Sequence, residues 1–229
     1  MKKLRLALSK GEELRFLSHL DYAQAVERMI RRAGIKMAYS EGFNPHMKIS
    51  FSSALALGIT AAQEYLDMDM LEEDSLENIK DRLNRVAPLG LVVQAGRYMS
   101  DKVKKMMAIC NYAVYEVTGP VTADADWDAL LKPFNEAPEI SYEKVTPKKV
   151  RTIDVKHFVK EPITAHLHDG KVTLVMGIGI YPEGTVKPGE VWALGRDQFN
   201  WPITDAYEIH RRHIMVENEQ GKMTPLEVE

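Results

Sequence analysis

The sequence predicts an α+β fold built as two antiparallel halves. Three observations carry the prediction. Alternating and helix-spaced apolar runs follow one another as strand, helix, strand, strand, helix, strand over the first hundred residues. The second hundred passes through a similar order. Turn signals such as Lys10-Gly11, Gly42 to His46, Pro88 with Gly90, and Asp169-Gly170 separate several of the runs.

Residues 3–8 alternate apolar and polar side chains, as a half-buried strand does. Lys10-Gly11 marks a turn, and 14–17 extends or pairs with that strand. Ser18, with Asp21 three residues later, starts a helix that runs to about residue 33. At helical spacing Tyr22, Ala23, Val26, Met29, Ile30 and Ala33 share one face, with Gln24, Arg28, Arg31 and Arg32 opposite. Gly34 is placed to end the helix. A short strand over 37–40 is interrupted by Gly42-Phe43-Asn44-Pro45-His46, and strands over 48–53 and 64–70 follow. Leu76, Ile79, Leu83 and Val86 are spaced for a helix over 75–86, and 91–98 completes the set as a strand. This order is the split βαβ pattern called ferredoxin-like.

In the second half, strands are expected over 109–118, 171–180 and 207–216, with extended stretches at 140–145 and 150–159. Short helices are expected over 127–134, capped by Asp124 or Asp126, and over 188–195. Asp169-Gly170 is a hairpin signal before the strand at 171. The fold class is therefore two tandem ferredoxin-like (βαββαβ) halves with antiparallel sheets. The polar run 101–105 divides residues 1–105, which hold the conspicuous motifs, from residues 106–229. The polar tail from residue 217 is expected to fray.

Across 229 residues the net charge is -3, which argues against a chain that coats nucleic acid non-specifically. The single cysteine, Cys110, forms no internal disulfide and holds no multi-thiolate cluster. It opens an apolar strand and reads as a buried thiol. The N-terminus lacks the apolar run of a signal peptide, and no stretch reaches the length of a membrane span. A cytoplasmic location and no membrane contact are the expectations.

Two clusters and one charge pattern are candidates for chemistry. In Arg15-Phe16-Leu17-Ser18-His19-Leu20-Asp21, His19 would be the first helical residue, positioned by the core yet able to reach solvent. It reads either as a proton carrier or RNA-phosphate contact, or as a histidine satisfied by capping. Asp21 is explained by capping, and Arg15 is expected to pair with a carboxylate. In Gly42-Phe43-Asn44-Pro45-His46-Met47-Lys48, a stiff loop presents Phe43, Asn44, His46 and Lys48 together. Phe43 either stacks on a base, with Asn44 reading its edge, or plugs into the core. Residues 1–60 hold ten Lys/Arg against five Asp/Glu, a local positive excess that suits RNA phosphate or else a solvated helix face.

Other features point elsewhere. Glu64 and Asp67 are three apart on a strand and face opposite sides, so they make no metal pair. His166 and His168 share a face without a third ligand nearby, and read as surface histidines. Trp127, Trp192 and Trp201 read as core, and 209–213 is a basic patch. The sequence has no P-loop, GxGxxG, HExxH, CxxC or Gly-x-Ser-x-Gly.

The runs RFLSHLD (15–21), ERMIRRAGIKMAYSEGFNPHMKISF (27–51), ALALG (54–58) and EYLDM (64–68) resemble the radical SAM-linked protein family, a bacterial domain of unknown function. VRTIDV (150–155), KPGEV (187–191) and IHR (209–211) extend the resemblance more loosely. Members of that family stand alone or are fused behind a cobalamin-binding radical SAM protein. The resemblance implies a radical SAM partner that carries the cluster and cobalamin, with no cofactor on this chain. A weaker analogy, at the level of fold, is to the RAMP-type endonucleases that process CRISPR RNA without metal, in which His19 would match a histidine general base. The glycine-rich loop those enzymes carry near the C-terminus is missing here.

The leading expectation is an RNA-binding or substrate-presenting accessory to a radical SAM enzyme acting on tRNA or rRNA. Its face would comprise Arg15, His19, Arg28, Arg31, Arg32, Phe43, Asn44, His46 and Lys48. The rivals are a metal-independent ribonuclease or RNA-modification factor with His19 as catalytic residue, and a protein-interaction scaffold that makes no RNA contact.

Overall fold

A computed structural model describes residues 1–100, 102–145 and 150–228. Asp101, part of the predicted connection, lies outside the described residues. The chain divides into two compact units, Met1–Asn111 with His213–Glu229, and Tyr112–Arg212. The sequence reading set the division at 105/106 and gave the whole tail to the second half.

The first unit begins with β1 (Lys2–Lys10), a 3-10 turn over Glu12–Leu14 and α1 (His19–Arg32). It continues with β2 (Ile49–Phe51), β3 (Ile59–Met70), α2 (Leu76–Val86), β4 (Val93–Met99) and the short α3 (Met106–Ile109). The strands lie in the order β4-β1-β3-β2, with every neighbouring pair antiparallel. Leu4, Leu6 and Leu8 point to one face of β1 and pack with Tyr22, Val26, Met29 and Ile30 of α1 and Ile79 and Leu83 of α2. Ser18 caps α1 by accepting the Asp21 N–H at 3.2 Å, and Ser75 caps α2 in the same way through Asn78. Gly34, at φ +65°, takes the left-handed turn that ends α1. These elements match the helix wheel read from spacing alone.

The second unit contains β5 (Tyr112–Pro120), α4 (Trp127–Glu136), β6 (Ser141–Val145), β7 (Val150–Asp154), α5 (Val155–Phe158), β8 (Thr164–His168), β9 (Lys171–Gly179), α6 (Pro188–Gln198) and β10 (Glu208–Asn218). Its sheet order is β10-β5-β9-β8, and β6 and β7 form a separate two-stranded sheet. The core includes Trp127, Phe134, Leu174, Met176, Trp192 and Trp201. The Trp201 ring lies so close over Gly195 that a Cβ there would meet it at 1.8 Å. Asp169 and Gly170 adopt positive φ in the β8–β9 turn, as Asp-Gly predicts.

The arrangement is a mixed α+β fold with mostly antiparallel sheet. Three departures from the sequence reading have simple causes. Residues 155–158 were expected to be extended but form α5, because the Asp154 carboxylate accepts the Lys156 N–H and starts a helical turn. α3 is too short to show a period, and β8, whose residues do alternate, was read only as the extended segment that carries His166 and His168. The tail does not simply fray: β10 ends in the first unit, β11 (Gly221–Met223) pairs with it, and Arg5 and Arg97 donate to the carbonyls of Pro225 and Leu226.

Candidate functional site

The first predicted cluster sits at the N-terminus of α1. His19 is half-buried, and its ring meets that of Phe51 edge-on at 5.3 Å between centroids. Phe51 in turn contacts Tyr22. Beneath this turn lies Lys10, only 1 % exposed, which the sequence reading passed over as a turn signal. Its ammonium donates to the Leu17 carbonyl at 3.1 Å and lies 5.8 Å from the centre of the Tyr22 ring. Glu64 is equally buried, on β3 opposite Leu8. The available signal was periodicity: Lys10 and Glu64 continue apolar faces at which a charge is out of place.

Arg15 does not offer a free guanidinium. It donates to the Gly58 carbonyl at 3.0 Å and pairs with Glu12 at 3.2 Å. It thereby ties segment 57–58 to the start of α1. Phe16 and Leu57 flank this tie, and both are exposed, as is Leu20 one turn away.

The second cluster is a loop closed at its base. The Ser40 N–H donates to the His46 carbonyl at 2.8 Å, and the His46 N–H donates to Ser40 Oγ at 2.9 Å. Tyr39 and Met47 bridge across the same base, where buried Met47 joins the core. Phe43, Asn44 and His46 are exposed, and Phe43 is completely so. Of the two readings of Phe43, the plug into the core is thereby excluded. Lys48 is half-buried where the loop rejoins the sheet.

The charge pattern changes most. Lys2, Lys3, Arg5 and Lys36 pair with Glu73, Asp69, Asp67 and Glu72, all beyond residue 60. Arg31 pairs with Glu27 at 3.3 Å, while Arg28 hydrogen-bonds neutral Gln24. Arg28, Arg32 and Lys48 have no ion pair among the described residues. The positive excess read from residues 1–60 is thus reduced to the outer face of α1 and the foot of the loop.

No group of three or more His, Cys, Asp or Glu suited to a metal ion occurs among the described residues. None of their helices is long and apolar enough to cross a membrane.

No curated protein matches the chain. Among solved structures, a chain of a Cbf5-Nop10-Gar1 complex is similar at TM-score 0.48 and 10% identity, covering 93% of this chain and 48% of that one, so this chain spans about half its length. An unknown protein from Galdieria sulphuraria is similar at TM-score 0.27 and 12% identity, covering 92% of this chain and 97% of that one. A family model matches residues 3–188, and the chain belongs to that family, the uncharacterised proteins conserved in bacteria called DUF2344.

Proposed function

We propose that this protein binds RNA through the 40–46 loop and the outer face of α1, and presents a tRNA or rRNA to a radical SAM enzyme. The observation that carries the proposal is Phe43, a fully exposed aromatic ring on a loop tied at both ends. Leaving that ring in water forgoes its burial, and a base stacked on it would contribute about 1–3 kcal/mol. Asn44 and His46 supply edge and phosphate contacts beside it, and Arg28, Arg32 and Lys48 supply charge. The element and strand orders of the two units support reading them as tandem ferredoxin-like halves. The radical SAM partner rests on the motif resemblance, with its cluster and cobalamin on that partner because one cysteine cannot hold such a cluster.

The test is binding of purified protein to bulk tRNA and to rRNA fragments at several salt concentrations. Affinity should fall as salt rises. Phe43→Ala should weaken binding by about fivefold to a hundredfold, the equivalent of one stacked base. Salt-independent affinity, or an unchanged Phe43→Ala, would remove the loop from the proposal.

A second reading follows from His19, half-buried at the start of α1 with its ring against Phe51. It makes the α1 N-terminus a metal-independent ribonuclease site with His19 as general base. It requires RNA cleavage by the purified protein in the presence of EDTA, lost in His19→Ala. RNA bound but left intact returns the protein to a presenting role, and a radical SAM partner recovered after nuclease treatment without bound RNA makes it a scaffold.

A further inference from the structure

The second unit contains a cavity of about 270 Å³ between the β6–β7 hairpin, α5 and the turn at 181–185. Two ties span it. Lys144 Nζ donates to the Thr185 carbonyl at 2.8 Å and pairs with Glu190 at 3.0 Å. His157 Nε2 meets Glu183 Oε1 at 3.0 Å, and the His157 ring packs against those of Phe158 and Tyr181. The Glu183 carboxyl is held below its usual range by a backbone N–H and by its hydrogen bond with His157. Ile153 and Phe158 line the interior.

Most of the polar groups around the cavity are already committed to partners. Lys144 is matched by Glu190 and His157 by Glu183. The Asp154 carboxylate accepts the Ile140 and Lys156 N–H groups at 2.9 and 3.0 Å. Arg151 remains, with no hydrogen bond or ion pair among the described residues. Its guanidinium reaches over Gly184, at φ +136°, where a Cβ would lie 3.6 Å from Nη2. The site thus offers apolar walls and one uncommitted planar cation. Ligand pockets of drug-sized molecules start at about 300 Å³, so the occupant is small.

We propose that this cavity binds a small organic anion, with a carboxylate or phosphate forked onto Arg151 and a compact apolar body against Ile153 and Phe158. The site belongs to the second unit and does not depend on RNA binding by the first.

The test is NMR titration of the full isotopically labelled chain with benzoate, phenyl phosphate and uncharged benzyl alcohol. At least one anion should shift the Ile153 and Phe158 side-chain resonances saturably, and the stronger of the two names the head group. Arg151→Ala should weaken that binding about tenfold or more, with Arg151→Lys between it and the wild type. Arg151 is exposed, so the variants should keep the wild-type amide spectrum outside the hairpin. Silence from both anions, equal shifts from benzyl alcohol, or equal affinity in Arg151→Ala would each overturn the proposal.

Discussion

Arg5 stands between Leu4 and Leu6 on β1, yet its side chain is wholly buried. It forks onto Asp67 at 2.7 and 2.9 Å and donates its remaining nitrogen to the Pro225 carbonyl at 2.7 Å. Removing one partner of such a pair strands a buried charge and costs about 3–5 kcal/mol, whereas replacing both with apolar residues is far milder. Asp67→Ala should therefore lower the urea unfolding free energy by that amount, and Arg5→Met with Asp67→Leu should recover most of it. A loss below about 1 kcal/mol in the single variant would mean that the pair behaves as a solvated surface bridge. On the same strand as Asp67, burial pushes the Tyr65 phenol up to about 12, against a partial opposing effect of its hydrogen bond with Thr224. Its contribution to stability is therefore complete below about pH 10 and is lost as pH rises toward about 12, because the unfolded chain ionises first. Measured across that window, Tyr65→Phe should lose less stability than the wild type.

At the scale of elements, α1 was legible because everything that defines it is local. Ser18 caps it, a four-residue period sets its buried face, and Gly34 ends it. Ser18→Ala should cost about 1 kcal/mol in thermal or chemical unfolding. An unchanged midpoint would mean that the Lys10 contacts to the 15–17 carbonyls, not the cap, hold the start of the helix. The 42–46 loop was legible as stiff, but not in where Phe43 points. That depends on Met47 anchoring one side and Ser40 clasping His46 at the other. The short α5 carried no period to read.

At the scale of the whole chain, the tail matters most. Residues 213–229 belong with the first unit, where the Pro225 and Leu226 carbonyls receive Arg5 and Arg97. Deleting residues 219–229 should strip hydrogen-exchange protection from β1 and β3, and an unchanged exchange pattern would mean the tail adds nothing to that sheet. Periodicity, caps and turns by themselves determined the α+β class, both long helices of the first unit and the glycine-proline loop, because those properties belong to neighbouring residues. Tertiary structure alone decided which charges remain free. Lys3, Arg5 and Lys36 find their carboxylates 66, 62 and 36 residues away, and pairing across a sheet is set by register rather than by sequence distance.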